Sequence, residues 1–235
     1  RLAFMYNPTG KSVVKALYGA AFRTPNAYEL YYVSSVNAAN PDLKPEKIST
    51  YELVYEHYLG DRFRVVADGY YYSIKDLINQ TDDGFGKSVF MNIESVHARG
   101  IELSLENGWA NGIEGRISYT IQRAEDEATG EPLTNSPEHL AKLNLAVPVV
   151  KETVFAGIEE QYMSKRRVLG GDSAGSFGVT NLTLFSHPIQ GRLELSMSIY
   201  NLFDKKYGDP VSTDFVQHTI QQDGRTYRLK LTYAF

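Results

Sequence analysis

The chain has 235 residues, of which 24 are Lys or Arg and 28 are Asp or Glu, so its formal net charge is −4. This balance argues against a nucleic-acid-binding surface, which needs a positive excess to meet phosphates. The absence of Cys excludes disulfide frameworks, thiolate metal sites and cysteine nucleophiles.

Alternation of apolar and polar residues runs along the whole chain and predicts β-strands throughout. We expect about eleven strands, most of them longer than the 5–6 residues usual in soluble proteins. In chain order they span residues 2–6, 12–22, 48–58, 63–75, 96–107, 113–123, 139–147, 153–164, 177–186, 192–203 and 225–235.

The alternation separates charged from apolar side chains. From Ile113 to Gln122 the odd positions hold Ile, Gly and Tyr, and the even positions hold polar residues. In the segments 51–56, 101–106 and 227–235 all charged residues likewise fall on even positions, opposite an apolar odd face. This pattern predicts an antiparallel sheet with one apolar and one wet face. The strand lengths match the roughly 9–11 residues with which a tilted strand crosses a membrane.

The connections alternate between short and long without exception. Short turns are expected near residues 7–10, 60–61, 109–112, 148–151 and 188–191, and long loops at 23–47, 76–95, 124–138, 165–176 and 204–224. In an up-and-down sheet, alternate connections lie at the same end. One rim with tight turns and one with long loops is typical of outer-membrane barrels.

A soluble β-sandwich is the alternative fold. It also alternates apolar and polar residues, but it does not require alternating loop lengths, and its strands are shorter. Two strands fit either fold less well. Glu160 falls on the apolar face with Ile158, and we expect a β-bulge to shift the register there. In 177–185 the two faces are poorly separated.

No stretch approaches the roughly 20 apolar residues of a membrane helix. No charged-then-apolar signal segment follows Arg1. We therefore expect that the start was cut away or that the chain is part of a longer one.

Five segments resemble those of the TonB-dependent outer-membrane receptors. They are Phe22–Tyr31 (FRTPNAYELY), Asn40–Glu46 (NPDLKPE), Ala98–Leu103 (ARGIEL), Asn201–Tyr207 (NLFDKKY) and the alternating aromatic strand that ends on Phe235. The resemblance covers the whole chain, in order.

The resemblance implies an all-β, antiparallel, up-and-down transmembrane β-barrel in the outer membrane of a Gram-negative bacterium. Residues 1–235 would be the C-terminal portion of a 22-strand barrel whose plug domain is absent here. Eleven strands leave two unpaired edges, which lipid does not tolerate. The sequence therefore predicts a receptor fragment, with the remaining strands and the plug supplied by a missing half.

The function implied by the resemblance is uptake of a scarce nutrient such as a ferric siderophore or cobalamin. The expected partners are a nutrient ligand such as a metal chelate, the TonB complex through the missing N-terminal part, the barrel-assembly machinery, and lipopolysaccharide or other outer-membrane lipid. No nucleic-acid partner and no cofactor are expected.

Two groups of loop residues are candidate ligand-binding residues because aromatic rings stack and cations pair with anions. They are Arg23, Tyr28, Tyr31 and Tyr32 in the first long loop, and Lys165, Arg166 and Arg167 in the fourth. The second group could instead meet lipopolysaccharide phosphates. The plainer alternatives are a self-packed loop, rim aromatics and a solvated charge run.

Two further sets follow from the resemblance and the alternation. The terminal strand resembles the signal read by the barrel-assembly machinery, carried by Tyr227, Leu229, Leu231, Tyr233 and Phe235. The lumen-facing charges are expected to form a wet network against a plug, through Glu52, Glu56, Arg64, Asp68, Glu102, Glu106 and Arg116.

Competing functions have weaker motifs. Residues 171–175 form G-x-S-x-G around Ser173, but this segment lies in a loop and lacks the strand-to-helix turn of a nucleophile elbow. The five histidines lack ligand spacing, and the acidic run 125–131 only weakly resembles a calcium loop. We expect no enzyme and no metal site. A passive porin or adhesin barrel stays open as an alternative, and a barrel hydrolase using Ser173 is a weaker one.

Overall fold

The computed structural model describes residues 1–108, 112–150, 153–169, 171–211 and 215–235, with the backbone alone at 93 and 94. Parts of the predicted turns at 109–112 and 148–151 and of the loops at 165–176 and 204–224 lie outside these ranges. In the described part there are sixteen strands and one short helix: β1 Leu2–Thr9, β2 Ser12–Arg23, α1 Ala27–Tyr31, β3 Asn37–Ala38, β4 Glu46–Leu59, β5 Phe63–Asp82, β6 Ser88–Gly108, β7 Glu114–Asp126, β8 His139–Val150, β9 Val154–Met163, β10 Arg166–Arg167, β11 Ser173–Ala174, β12 Phe177–Ser186, β13 Leu193–Tyr200, β14 Gly208–Pro210, β15 Thr219–Gln221 and β16 Thr226–Tyr233.

The eleven long strands form one antiparallel sheet in which each strand pairs with the next long strand along the chain. The order is β1-β2-β4-β5-β6-β7-β8-β9-β12-β13-β16, and β3 adds a short parallel pairing to β6. The up-and-down topology and the all-β class are confirmed. Within the described residues β1 and β16 pair on one side only, so the sheet is a partial barrel rather than a closed one.

The apolar side of the wall is exposed, and the polar side holds buried groups. Leu103, Ile117 and Leu195 are 51%, 50% and 39% exposed. On the opposite face, Glu56 and Thr120 are buried. A soluble core has the reverse arrangement. We call the two sides the outward face and the lumenal face.

The hairpin of β5 and β6 extends well beyond its predicted ends. The loop expected at 76–95 is mostly strand, and the connection that remains is 83–87. A bulge interrupts the ladder between Ile74 and Ile78, where Asp76 has a φ of 57°. An inserted residue exchanges the faces on which the odd and even positions lie. The regular alternation is therefore interrupted here, and it does not predict the continuation of the strand.

The structure corrects the expectation for Glu160. From Leu140↔Met163 to Pro148↔Phe155 the register of β8 and β9 is regular, and its irregularity lies beyond Pro148. Glu160 therefore stays on the outward face opposite Leu143, and no bulge moves it. The hydroxyl of Thr180 donates a hydrogen bond to its carboxylate, which offsets part of the cost of placing it there.

Aromatic residues on the lumenal face explain why β12 shows poor alternation. Phe177 stacks on Tyr207 with ring centroids 4.1 Å apart, and Phe185 stacks on Phe155 at 5.5 Å. Apolar residues therefore occupy both faces of this strand.

Gly100, in the ARGIEL segment, lies beneath an aromatic ring. A Cβ added there would meet the hydroxyl oxygen of Tyr70 at 2.5 Å and the carbonyl oxygen of Ile121 at 2.8 Å. The Tyr70 hydroxyl donates to Gln122 Oε1 at 2.7 Å. Glycine is therefore required for this ring to cross the lumenal face.

None of the helices among the described residues is long and apolar enough to cross a membrane.

Candidate functional site

The first long loop begins with a capped helical turn. Asn26 Oδ1 accepts from the Glu29 amide at 2.9 Å, and Glu29 Oε2 accepts from the Asn26 amide at 2.8 Å. This capping box starts α1 and fixes the direction in which its tyrosines project.

Arg23 is held between two carboxylates at the long-loop ends of β2 and β4. Its Nε and Nη2 donate to Glu46 at 2.6 and 2.7 Å, and its Nη1 donates to Glu29 at 2.9 Å. The hydrogen bonds from Arg23 hold the pKa of Glu46 below its ordinary value, and burial opposes them. The same contacts raise the pKa of Arg23. The guanidinium of Arg23 thus uses its hydrogen-bond donors to order the loop.

The three tyrosines of this loop divide into packed and free rings. Tyr28 stacks on Tyr32 with centroids 4.5 Å apart and meets Phe90 edge-on at 5.9 Å. Tyr31 projects away and is 64% exposed. The loop is partly self-packed, with Tyr31 presented to solvent.

In the fourth long loop the basic triplet is mostly engaged. Arg166 is buried; its Nη2 pairs with Asp209 at 2.8 Å, and its Nη1 donates to Asn135 Oδ1 at 3.1 Å. Arg167 pairs with Glu131 at 2.7 Å, whereas Lys165 is exposed. The two arginines therefore join neighbouring loops.

The structure does not bring the two predicted groups together. They follow β2 and β9, which lie six strands apart in the sheet order. Among the described residues, no hydrogen bond, ion pair or ring contact joins one group to the other.

Sequence reasoning missed the tip of the β5–β6 hairpin. Phe85 stands there between Gly84 and Gly86 and is 93% exposed. The side chain of Asp83 accepts from the amides of Phe85 and Lys87 at 2.8 and 3.1 Å and so fixes the turn. The pattern Asp-Asp-Gly-Phe-Gly predicts a turn. The sequence does not show that this turn ends a long hairpin, because the alternation is interrupted before it.

The lumenal charges form a continuous network across five strands. Lys15 and Arg64 both contact Glu56, the latter at 3.0 Å. Arg64 also pairs with Glu106 at 2.9 Å, and Arg116 approaches Glu106 at 3.5 Å. Opposite charges thus face each other in register from β5 to β7, as the sequence predicts for the wet face.

Beside this network lies an acidic pair that is only partly compensated. Asp68 and Glu102 are directly opposite in the β5–β6 register. Among the described residues Asp68 Oδ1 is buried without a hydrogen-bond partner. Glu102 accepts from Thr120 at 3.2 Å and has Arg116 at 4.0 Å. Like charges opposed across strands are unfavourable unless a cation joins them.

The NLFDKKY segment closes the end of β13. Asn201 is buried, has a φ of 51° and donates to the carbonyls of Lys205 and Asp223 at 2.9 and 3.2 Å. It also accepts from the Lys205 amide at 2.8 Å. The positive φ ends the strand at Tyr200, before the predicted 203, and turns the chain toward β16.

The terminal strand is an edge. In the part of the chain that the structure describes, β16 pairs only with β13, and its outward side chains from Tyr227 to Tyr233 are exposed. Tyr233 meets Phe235 edge-on at 5.3 Å, which places an aromatic pair at the short-turn rim.

Ser173 lies in the two-residue strand β11, which pairs with β10. An irregular segment and β12 follow it, so the geometry of a nucleophile elbow is absent from this described stretch.

Comparison with known proteins agrees with this geometry. Residues 1–202 match the family described as TonB dependent receptor-like, beta-barrel. The vitamin B12 transporter BtuB of Vibrio cholerae is 31% identical over 83% of this chain and 31% of its own length. The heme/hemopexin utilization protein C of Haemophilus influenzae is 24% identical over 94% and 35%. The chain thus spans about a third of the length of these relatives.

The fold is also found in solved structures. The ferric-catecholate import receptor Fiu of E. coli K12 superposes with a TM-score of 0.76 at 22% identity, over 99% of this chain and 34% of that receptor. The chain therefore belongs to the β-barrel family of TonB-dependent receptors, which are integral proteins of the Gram-negative outer membrane and not enzymes, as the sequence predicts.

Proposed function

We propose that this chain is the C-terminal portion of the barrel wall of a TonB-dependent transporter for a scarce nutrient such as a ferric siderophore, heme or cobalamin. The rest of the protein would supply the remaining strands, the plug and the contact with the TonB complex. The open edges at β1 and β16 support this division, because strand edges in lipid need partners. The relatives named for vitamin B12 and heme support the ligand class.

The main support for a transporter with a plug is the acidic pair of Asp68 and Glu102 on the lumenal face. Asp68 lies directly opposite Glu102, and among the described residues its buried Oδ1 has no hydrogen-bond partner. Lys or Arg of a plug seated in the lumen would neutralise both carboxylates through charge-assisted hydrogen bonds. An open porin offers only water at this place.

Uptake in cells tests the function. The intact receptor would be expressed in a Gram-negative strain that lacks its own receptors, with and without TonB. Cyanocobalamin, hemin and a ferric catecholate would be the probes. We expect one of them to be taken up only when TonB is present. Equal uptake without TonB would favour a passive porin.

We place ligand contact at the exposed loop residues Tyr31, Tyr32 and Lys165 and at the hairpin tip, Phe85. Arg23, Arg166 and Arg167 would hold these loops in position. Replacing Tyr31 or Phe85 by Ala should weaken binding of the transported probe about tenfold, the size expected of an interface aromatic. Tyr58→Ala, at the short-turn end of β4, is the control and should leave the affinity unchanged.

The terminal strand is proposed as the signal for the barrel-assembly machinery. Deleting Phe235 in the intact receptor should lower the amount inserted in the outer membrane. Unchanged insertion would contradict this role.

A further inference from the structure

Three of the long loops meet at one buried guanidinium. Arg166 belongs to β10 in the fourth long loop, residues 164–176 between β9 and β12, and its side chain is 4% exposed. A cation that leaves water loses its hydration, so the groups around it must replace those interactions. The partners of Arg166 therefore show which parts of the protein depend on this one side chain.

These partners lie in the two neighbouring loops. Nη1 of Arg166 donates to Asn135 Oδ1 at 3.1 Å, in the third long loop (residues 127–138, between β7 and β8). Nη2 donates to the carboxylate of Asp209 at 2.8 Å and to the carbonyl oxygen of Gly208 at 3.1 Å, in the fifth long loop (residues 201–225, between β13 and β16). Because the guanidinium is planar and rigid, it fixes the third and fifth loops relative to each other.

Aromatic packing adds to this junction. The guanidinium carbon of Arg166 lies over the ring of Phe177, 5.5 Å from its centroid. Phe177, at the start of β12, stacks on Tyr207 of the fifth loop with centroids 4.1 Å apart. Phe177 and Val168 are both buried. A cation over an aromatic ring is stabilised most where water is excluded, so the junction is a small packed core at the long-loop end of the barrel wall.

The third loop is also tied to the fourth through the backbone. The amide of Asn135 donates to the carbonyl oxygen of Arg167 at 2.9 Å. Asn135 has a φ of 55°, a left-handed conformation that Asn adopts more readily than most residues. One residue thus makes both contacts, its amide with Arg167 and its side chain with Arg166. By comparison, the pair of Arg167 with Glu131 is exposed, and such pairs stabilise little.

We propose that Arg166 is a positioning residue that couples the third, fourth and fifth long loops, so that they open and close as one body. Movement of Asp209 away from Arg166 would leave a buried cation without its charged partner, and the guanidinium would then leave Asn135 to reach water. Coupling between sites is reciprocal, so a change at Asn135 must likewise loosen the fifth loop. For transport, a ligand contact at Lys165 would stabilise all three loops. Only this consequence rests on the proposed function, since the coupling belongs to the free receptor.

Hydrogen exchange of the intact receptor in detergent, without ligand, tests the coupling. The reporters are peptides containing the amides of Asn135 and of Gln222, which donates to the Tyr207 carbonyl at 3.0 Å in the fifth loop. D209N should raise exchange at Asn135 about tenfold, the size expected when a charge-assisted hydrogen bond is lost. Conversely, N135G removes the side-chain acceptor from a position whose φ suits glycine, and it should raise exchange at Gln222.

The matched control is D204N. Asp204 lies in the same loop as Asp209, and its side chain is 45% exposed against 40%. Its carboxylate pairs with Lys206 and accepts from the Arg225 amide instead of contacting Arg166. D204N makes the same chemical change outside the junction and should leave exchange at Asn135 unchanged.

A double-mutant cycle separates coupling from a local structural role. R166M removes the charge but keeps an apolar chain against Phe177, and the Asp209 carboxylate that it leaves is exposed enough to be hydrated, so this variant should fold. R166M should raise exchange at both reporters, and D209N should then add nothing at Asn135. Unchanged exchange at Asn135 in D209N, or the same added effect in the R166M background, would overturn the proposal. Because no nutrient is present, neither result depends on the uptake experiment.

Discussion

Charged side chains are arranged differently on the two faces of the same strands: opposite charges face each other on one, and like charges on the other. On the lumenal face, Arg64, Glu106 and Arg116 alternate in register across β5, β6 and β7. On the outward face of those strands, Arg99 and Arg123 are opposed as like charges. The charges of the lumenal network are paired mostly within the wall. Of the two outward arginines, Arg123 pairs with Glu125, and no described carboxylate pairs with Arg99. The outward face is thus built to meet lipid, and on the lumenal face the oxygen of Asp68 without a hydrogen-bond partner among the described residues is the place that a neighbouring domain is proposed to satisfy.

Reversing the polarity of one position should have the largest effect. Leu145 and Asn144 are neighbours on β8, with Leu145 outward beside Ile158 and Asn144 lumenal beside Glu159. Leu145→Arg should destabilise the folded barrel by about 2–4 kcal/mol, because it places a charge in hydrocarbon. Asn144→Arg should cost less, since the lumenal face is wet and Glu159, opposite on β9, offsets the repulsion from Arg116, opposite on β7. Reversible unfolding of the intact receptor in lipid vesicles measures both. Equal losses would contradict the assignment of faces.

Breaking the lumenal network should have the next largest effect. Glu56 is buried and accepts from both Lys15 and Arg64. Glu56→Gln should cost about 1–3 kcal/mol, because two cations lose their charged partner. Glu114→Gln, at an exposed position without a described ion pair, is the control. The unfolding midpoint in urea measures the difference, and a similar change in both variants would show that the network adds nothing.

Two glycines sharpen the comparison further. Gly100 lies under Tyr70 on the lumenal face, and Gly69 is open on the outward face. Gly100→Ala should cost about 1–3 kcal/mol, because Tyr70 must shift and weaken its bond to Gln122. Gly69→Ala should be nearly neutral. Thermal unfolding of the two variants gives the answer, and equal melting temperatures would refute the close approach of Tyr70.

The smallest effect is local and depends on pH. The pKa of Glu46 is depressed below its ordinary value of 4.5, chiefly by hydrogen bonds from Arg23. The stabilisation is therefore present above pH 4.5 and is lost as the pH falls through the lower, folded pKa. The Ile78 amide donates to Glu46, so its protection from hydrogen exchange, corrected for intrinsic rates, should fall in that window. The effect should disappear in Glu46→Gln, and a persistent transition there would contradict its origin.

Much of the wall could be predicted from the sequence, because alternation depends only on neighbouring residues. The segment Ile113–Gln122 shows this directly. The extension of β5 past Asp76 could not be predicted, since one inserted residue breaks the period. The like-charge pair of Arg99 and Arg123 was equally hidden, because it depends on the register between two strands.

The candidate site was less predictable than the wall. Arg166 lies in a basic run, which predicts a solvated loop cation, yet it is buried against Asp209 of another loop. Tyr28 packs on Tyr32, while Tyr31 stays free. Contacts between loops far apart in sequence decide which side chain is presented, and no local pattern encodes them.

The direction of the two faces is the claim on which the account depends most, and spin labels test it directly. Since this chain contributes no background thiol, single cysteines can replace Leu103, Ile117 and Leu195, and the lumenal Glu102, Arg116 and Glu194, in the intact receptor in lipid vesicles. Labels at the first three should collide mainly with oxygen dissolved in lipid, and labels at the other three with a water-soluble nickel chelate. The reverse preference, or none, would contradict it.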